Sequence, residues 1–415
     1  MSQTEEIKKI ENGCITMPKG FQAAGLRAGI KPGKTNKDMA LVISAVPCAA
    51  AGVFTRNLVK AAPVQWDSAM LQKNGVAQAV VINSGIANAC TGEEGYRNVQ
   101  TTAECVAKEF GIQTEQVMVM STGVIGQPLP MDIICQGVGK LHQALGNDEQ
   151  SGHDAAEAIL TTDTHAKEIA VSFELNDTPV KMAGMCKGSG MIHPNMGTML
   201  GIITTDAMIS QPLLNQALKE LVEDTFNMVS VDGDTSTNDS VIVLANGQAE
   251  NTVVKEEGPA YEVFKQALKE VMTFLAQNIA GDGEGATRLL EATAIHASSK
   301  EQAKILAKAI ITSNLTKAAV FGMDANWGRI LCAMGYSGAD FDPEQVDIQI
   351  SSENGTVKLV ENGKAAEYDE AFATKVLSPK KVTVLADVKQ GEASATAWGC
   401  DLTYDYVKIN ADYRS

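Results

Sequence analysis

Apolar side chains recur at helical spacing in five stretches of the chain. Leu213, Leu214, Leu218, Leu221 and Val222 share one face of residues 212–229, and this pattern predicts an amphipathic helix. The same reasoning predicts helices over residues 94–110, 151–160, 259–279 and 300–311. The helix over residues 94–110 is expected to end at Gly111, because glycine readily adopts the left-handed conformation that closes a helix.

Short runs rich in β-branched residues predict strands between these helices. They lie at residues 38–54 (two strands around a Pro47-Cys48 turn), 78–83, 117–121, 169–173, 180–185, 199–208 and 241–245. From Val346 onward the pattern is β, with hairpin turns at Asn354-Gly355 and Asn362-Gly363. Strands and helices do not alternate strictly, which favours a layered α+β architecture over a doubly wound sheet.

Length and charge narrow the class of protein. At ~100–200 residues per domain, 415 residues predict two or three domains, or one large domain with a discontinuous core. The formal net charge of −16 argues against nucleic-acid and anionic-membrane partners, since both attract basic patches. The N-terminus has no apolar h-region, and the longest apolar run, residues 39–54, is too short to span a membrane. We therefore expect a cytoplasmic protein that binds neither nucleic acid nor membrane.

Cysteine and histidine usage gives no sign of a metal centre. The eight cysteines include no C-x-x-C pair, and we expect reduced, mostly buried thiols. The five histidines are scattered and form no zinc-binding motif.

Three segments fail as ligand-binding motifs. Residues 29–35 (GIKPGKT) have three residues between their glycines rather than the four of a phosphate-binding loop, and a strand is predicted after them. Residues 281–285 (GDGEG) follow a helix and fit either a helix-ending turn or a carboxylate held near a ligand. Residues 232–239 (DGDTSTND) have Val243 where a calcium loop needs glutamate, and fit a hydrogen-bonded polar turn beside a site.

Residues 184–206 (GMCKGSGMIHPNMGTMLGIITTD) carry the clearest chemistry. A glycine-rich loop becomes an apolar strand at Thr198, the order that a self-cleaving N-terminal-nucleophile enzyme requires. Gly197 has no Cβ, so its peptide bond can adopt a strained geometry while the Thr198 hydroxyl attacks its carbonyl. Cleavage would free the Thr198 amine, whose ordinary pKa of about 7.7–8.0 suits a base for the hydroxyl. Taken alone, a Gly-Thr pair before a strand fits an ordinary loop as well.

Ten motifs are spread along the chain: residues 18–21 (PKGF), 29–31 (GIK), 83–85 (NSG), 87–92 (ANACTG), 121–126 (STGVIG), 161–164 (TTDT), 187–191 (KGSGM), 231–239 (VDGDTSTND), 326–330 (NWGRI) and 410–415 (NADYRS). Through these motifs, essentially the whole chain resembles the glutamate N-acetyltransferase/ornithine acetyltransferase family of arginine biosynthesis, some of whose members are bifunctional. Gly197 stands where the family usually has alanine and should still permit cleavage. His193, Ile86 and Ala325 also depart from the common residues, without removing a known catalytic group.

The resemblance implies a layered αββα-type, N-terminal-nucleophile-like fold. It also implies cleavage between Gly197 and Thr198 into an α chain, residues 1–197, and a β chain, residues 198–415, assembled as an α2β2 heterotetramer. Thr198 is the implied nucleophile, and Thr122 and Gly123 form the implied oxyanion hole. The implied substrate-binding residues are Thr161, Lys187, Thr198, Glu284, Asn410 and Ser415. Lys187 suits an α-carboxylate, Glu284 an amine and Asn410 an amide, and we expect the terminal carboxylate at Ser415 to add an anion for the ornithine amine.

The implied reaction is a ping-pong transfer of an acetyl group from N2-acetyl-L-ornithine to L-glutamate, with no metal or organic cofactor. Some family members also take acetyl-CoA as donor, and the sequence leaves open whether this chain does. Two alternatives remain. One is an N-terminal-nucleophile aminopeptidase or amidohydrolase of similar fold, which would hydrolyse the acyl-enzyme. The other is an uncleaved, non-catalytic binding protein for acylated amino acids.

Overall fold

The computed structural model describes residues 7–193 and 199–412. The predicted nucleophile Thr198, its neighbour Gly197 and the substrate-binding candidate Ser415 lie outside these residues.

Sixteen strands and eleven α-helices make up the described part of the chain. The strands are β1 (Lys8–Ile10), β2 (Phe21–Leu26), β3 (Met39–Phe54), β4 (Val76–Ile86), β5 (Val117–Val124), β6 (Lys167–Leu175), β7 (Thr178–Lys187), β8 (Leu200–Thr205), β9 (Val229–Ser230), β10 (Ser240–Ala245), β11 (Leu289–Ala297), β12 (Asp347–Ser352), β13 (Gly355–Glu361), β14 (Lys364–Ala365), β15 (Lys381–Asp387) and β16 (Ala393–Cys400). The helices are α1 (Ala62–Asn74), α2 (Gly92–Phe110), α3 (Met131–Ala144), α4 (Glu149–Ala158), α5 (Gln211–Val222), α6 (Pro259–Gly281), α7 (Lys300–Thr312), α8 (Asn314–Phe321), α9 (Trp327–Gly335), α10 (Glu370–Val376) and α11 (Tyr404–Asp412).

The strands form two sheets. The first has nine strands in the order β1-β6-β7-β8-β10-β3-β4-β5, with β2 pairing to β3 beside that path. Most neighbours in it are antiparallel, but β8 runs parallel to β10 and β4 parallel to β5. The second sheet has seven strands in the order β14-β13-β12-β15-β11-β16-β9.

Helices cover and connect the sheets. Helices α1 and α2 pack on β5, α4 packs on β2 and β3, and α7 packs on β11 and β16. Helix α6 contacts β6 and β7 of the first sheet and β11 and β16 of the second. Most of its apolar side chains, Phe264, Leu268 and Val271 among them, are fully buried. Two sheets layered with helices confirm the predicted α+β fold class.

Residues 38–54 form one strand rather than the predicted two. β3 runs unbroken for 16 residues, and its register against β4 shifts between Ile43 and Cys48. Pro47 lies within this irregularity, where its missing N–H removes no hydrogen bond from the ladder with β4. A bulge therefore replaces the expected turn.

The predicted helix over residues 212–229 ends earlier, at Val222. The Thr225 hydroxyl donates to the Leu221 carbonyl at 2.7 Å, and a short 3-10 turn follows at Phe226–Met228. The segment from Val346 onward, for which a β pattern was predicted, also includes the helices α10 and α11.

The cysteines differ from expectation at one pair. Cys105 of α2 and Cys135 of α3 form a disulfide, their Cα atoms 5.8 Å apart, so the expectation of reduced thiols throughout is wrong there. Packing of α2 against α3 brings the two side chains together. Of the remaining six, Cys14, Cys48, Cys186 and Cys400 are buried.

The amides of the loop at residues 28–31 surround a carboxylate of the protein itself. The N–H groups of Ala28 and Ile30 donate to Asp38 at 2.6 and 2.7 Å, and those of Gly29 and Lys31 also donate to it. Successive amides of this kind bind anions, and here Asp38 is the anion. A strand, β3, follows the loop, in agreement with the rejection of a phosphate site.

Within the part of the chain that the structure describes, no helix has the length and hydropathy needed to cross a membrane.

Candidate active site

A cavity of about 160 Å³ brings together six of the predicted site residues: Thr122, Gly123, Thr161, Lys187, Glu284 and Asn410. They come from five separate segments of the chain. The cavity is smaller than the ~300–1,000 Å³ usual for drug-sized ligands, so its size suits a small molecule. Met199 and Leu200, which directly follow Thr198 in sequence, form part of the wall.

Thr122 and Gly123 lie at the end of β5, where the ladder with β4 becomes irregular. Ile86 pairs with both Thr122 and Val124, and Gly123 has a φ of +133°. A Cβ at Gly123 would lie 2.6 Å from the Ile86 amide nitrogen and closer still to the Gly85 carbonyl. Only glycine fits this close approach of two backbones.

Two asparagines hold this strand end in place. Asn83 accepts a hydrogen bond from the Ser121 hydroxyl at 2.6 Å. Asn238 donates to the Ser121 carbonyl at 2.7 Å and to the Ala87 carbonyl at 2.6 Å. Both asparagines are buried. The backbone carrying Thr122 and Gly123 is therefore fixed on two sides, as preorganised hydrogen-bond donors require.

Lys187, at the end of β7, supplies a buried positive charge to the cavity wall; the residue is 8% exposed. The next amide, that of Gly188, donates to Asp163 at 2.7 Å. Burial alone would raise the pKa of the Asp163 carboxyl, but the ammonium groups of Lys187 and Lys167 outweigh it and hold that pKa well below its usual range. Asp163 is thus ionised beside Lys187.

Glu284 and Asn410 are joined by a hydrogen bond in the cavity wall. The Asn410 side-chain amide donates to Glu284 Oε2 at 2.7 Å and to the Tyr406 carbonyl at 3.0 Å. Glu284 is 7% exposed and follows the end of α6, so residues 281–285 form a helix-ending turn that also carries a cavity carboxylate. Asn410 comes from α11, which has no buried residue.

Residues 232–239 hold the segment that leads towards Thr198. Asp232 accepts hydrogen bonds from the Met191 and Ile192 amides at 2.7 and 2.8 Å, and the Thr235 hydroxyl donates to the His193 carbonyl at 2.8 Å. On the other side of Thr198 in the sequence, the Ser240 amide donates to the Met199 carbonyl at 2.8 Å. The expected hydrogen-bonded polar turn is confirmed, and residues 236–239 of it line the cavity.

The sequence analysis missed Asn238 as a cavity residue that also supports Thr122. Its polar neighbourhood in residues 232–239 was the available signal, but its partners, Ser121 and Ala87, are more than 100 residues away in sequence. Among the described residues, no three His, Cys, Asp or Glu side chains are grouped to hold a metal ion.

The chain is similar to known proteins over nearly its whole length. The pattern of the ArgJ family matches residues 22–415. The arginine biosynthesis bifunctional protein ArgJ of Caldanaerobacter subterraneus subsp. tengcongensis is 51% identical over 407 residues, covering 98% of this chain and all of that protein. The arginine biosynthesis bifunctional protein ArgJ 1 of Clostridium acetobutylicum is 50% identical over 411 residues, covering 99% and 100%.

Two solved structures are also similar. The crystal structure of the arginine biosynthesis bifunctional protein argJ from Bacillus halodurans is 41% identical and covers 47% of this chain and all of that one, with a TM-score of 0.45. Ornithine acetyltransferase from Mycobacterium tuberculosis, complexed with ornithine, is 42% identical and covers 46% and 100%, with a TM-score of 0.43. Since the family pattern matches residues 22–415 and about half of the residues are identical to those of relatives covered over their full length, this chain belongs to the ArgJ family.

Proposed function

We propose that this chain is a self-cleaving acetyltransferase that moves the acetyl group of N2-acetyl-L-ornithine to L-glutamate through an acetyl-threonine intermediate. Membership of a family whose relatives are named arginine biosynthesis bifunctional proteins supports the reaction class. The observation that carries the proposal is the cavity itself, where Thr122, Gly123, Lys187, Glu284 and Asn410 lie beside Met199.

The first half-reaction forms the intermediate. The Thr198 hydroxyl oxygen attacks the acetyl carbonyl carbon, and the Thr198 amine takes the hydroxyl proton. Donors from Thr122 and Gly123 stabilise the tetrahedral oxyanion, and each such donor typically accelerates a reaction ~10²–10³-fold. The carbon–nitrogen bond then breaks, the proton passes to the leaving amine, and L-ornithine departs from an acetyl-threonine ester.

The second half-reaction runs the same steps in the opposite direction. The amine of L-glutamate attacks the ester carbonyl, the Thr198 oxygen leaves, and N-acetyl-L-glutamate is released. Lys187 pairs with the α-carboxylate that both amino acids carry. Glu284 faces the ornithine side-chain amine, and Asn410 orients the amide. The bifunctional names of the relatives support acetyl-CoA as a second donor for glutamate.

The proposal includes processing, assembly and location. Cleavage before Thr198 produces an α chain of residues 1–197 and a β chain of residues 198–415, which assemble as an α2β2 heterotetramer in the cytoplasm. No metal or organic cofactor takes part. Ser415 completes the substrate site together with Asn410.

Mass spectrometry and a transfer assay test the proposal together. Purified protein should separate under denaturing conditions into chains ending at Gly197 and starting at Thr198, and Thr198→Ala should abolish both processing and transfer. Acetyl transfer to glutamate is measured with N2-acetyl-L-ornithine and with acetyl-CoA separately. Hydrolysis of N2-acetyl-L-ornithine at the same rate without glutamate would indicate the amidohydrolase instead. An uncleaved chain that binds acylated amino acids without turnover would indicate the binding protein.

A further inference from the structure

Lys167 is a fully buried cation that no step of the proposed reaction uses. Its side chain, at the start of β6, is 0% exposed, and its ammonium lies 2.7 Å from Asp163 Oδ1 and 2.6 Å from Asp282 Oδ2. The Asp163 and Asp282 side chains are 0% and 4% exposed. Burial disfavours the ammonium, but the two carboxylates outweigh it and raise the pKa of Lys167, so Lys167 stays charged.

Asp163 connects Lys167 to the lysine of the cavity. The same Oδ1 atom that pairs with Lys167 accepts the Gly188 amide, directly after Lys187. The other oxygen accepts the Thr161 amide at 3.2 Å. The positions of Lys187 and Thr161 on the wall thus depend on where the Asp163 carboxylate sits.

Asp282 connects Lys167 to the glutamate of the cavity. It is two residues before Glu284, and its carboxylate accepts both the amide and the hydroxyl of Thr164. Its backbone carbonyl accepts the Ser189 hydroxyl at 2.7 Å, while the Glu284 amide donates to the Ser189 carbonyl at 3.0 Å. Displacement of Asp282 would move the turn that presents Glu284.

We propose that Lys167 is a positioning residue that fixes the distance between Lys187 and Glu284. This distance determines the preference of the site for an amino acid with a cationic side chain. Two carboxylates held close together repel each other, and the Lys167 ammonium between Asp163 and Asp282 offsets that repulsion and sets the distance between the two carboxylates. This inference rests on the proposed function, because it takes Lys187 and Glu284 as the groups that bind the two ends of ornithine.

The test compares Lys167→Met with Lys37→Met. Lys37 is the control. It also bridges two carboxylates, Asp154 and Glu157, at 2.6 Å each, but its side chain is 30% exposed and it does not line the cavity. Kinetics are measured with N2-acetyl-L-ornithine and with N2-acetyl-L-norvaline, which lacks the side-chain amine. The concentration of active sites is taken from acetyl-enzyme formed without acceptor, so unfolded protein does not enter the constants.

Lys167→Met should raise KM for N2-acetyl-L-ornithine by roughly 10- to 100-fold, because a ~1 Å misplacement by a distant substitution can cost up to 10²-fold. It should also lower the preference for N2-acetyl-L-ornithine over N2-acetyl-L-norvaline, with kcat little changed. Lys37→Met should keep both wild-type values. Wild-type KM and preference in processed Lys167→Met, or an equal change in both variants, would overturn the proposal.

A milder pair of variants applies if Lys167→Met yields no processed protein. Thr164→Val removes one donor to Asp282 and should raise KM for N2-acetyl-L-ornithine by about 2- to 10-fold, the equivalent of one net hydrogen bond. Thr164→Ser keeps the hydroxyl and should match wild type. Identical constants for the two Thr164 variants would overturn the proposal.

Calorimetric titration with L-ornithine separates this inference from the proposed function. Weaker binding to Lys167→Met or Thr164→Val is expected whether or not acetyl transfer occurs. A wild-type protein that binds L-ornithine without transferring acetyl groups would refute the proposed function and still test Lys167.

Discussion

Replacing Gly123 with alanine should damage the proposed oxyanion hole through a backbone collision. The new Cβ would lie 2.6 Å from the Ile86 amide nitrogen, about 1 Å short of the ~3.5 Å at which heavy atoms make favourable contact. The neighbouring Gly85 carbonyl is closer still. All of these atoms are backbone, so no side chain can rotate away, and the ends of β4 and β5 must separate.

The expected cost has two parts. A non-glycine residue at φ +133° stores strain of about 1–3 kcal/mol, which lowers the free energy of unfolding. Separation of the strands also moves the Gly123 amide by about 1 Å, and loss of one oxyanion donor typically reduces kcat ~10²–10³-fold, or about 2.7–4 kcal/mol of transition-state stabilisation. We therefore expect Gly123→Ala to fold with reduced stability and to transfer acetyl groups at least about 10²-fold more slowly.

Gly126→Ala is the matched control. Gly126 also has a positive φ, +81°, but a Cβ there would have nothing within 4 Å. It should lose about 1–3 kcal/mol of stability from backbone strain while kcat stays at the wild-type value. The measurements are single-turnover acetyl transfer and denaturant unfolding of both variants. Equal kcat values for Gly123→Ala and Gly126→Ala would refute the reasoning from backbone contact.

Four other outcomes are expected. Thr122→Ala should fold normally and lower kcat by ~10²–10³-fold, whereas a rise in KM alone would make Thr122 a binding residue. Lys187→Met should raise KM for both amino-acid substrates, measured in steady-state assays, and an unchanged KM would remove its role with the α-carboxylate. Deletion of residues 411–415 should weaken substrate binding in protein that still folds and cleaves, and loss of stability with normal kinetic constants would assign that segment a structural role. Burial raises the pKa of the Asp67 carboxyl well above its usual range, so the native state keeps a proton that the unfolded chain releases above about pH 4. The free energy of unfolding should therefore fall as pH rises from about 4 towards that raised pKa, and Asp67→Asn should flatten the slope in denaturant titrations; an unchanged slope would contradict this.

Helices whose apolar residues recur at a clear helical spacing were predictable from the sequence. The helix predicted over residues 94–110 corresponds to α2, which ends at Gly111 in the left-handed conformation, and those over 259–279 and 300–311 correspond to α6 and α7. Helix α11 was missed because it buries no residue and so has no apolar stripe. The unbroken course of β3 was missed because Pro47 normally ends a strand.

Less of the candidate active site could be predicted from local sequence patterns. Glu284 and Asn410 are 126 residues apart in sequence, yet they share a hydrogen bond. Motif resemblance could nominate such residues one by one, but the pairing of Lys167 with Asp282, 115 residues away, depends on how β6 packs against α6. No spacing rule within one segment encodes a contact of that kind.

The strand order of the first sheet bears on how the proposed cut can be made. Strands β8 and β10, which follow Thr198 in sequence, lie between β7 and β3, which precede it. Each fragment would therefore contribute strands to the interior of one sheet. The strands of residues 1–197 would fall into two groups, joined only through β8 and β10 of the other fragment. The precursor must complete this sheet before it is severed, and the products must then stay interleaved. Genes encoding the two fragments separately should consequently yield aggregated protein, even though together they specify every residue of the finished enzyme.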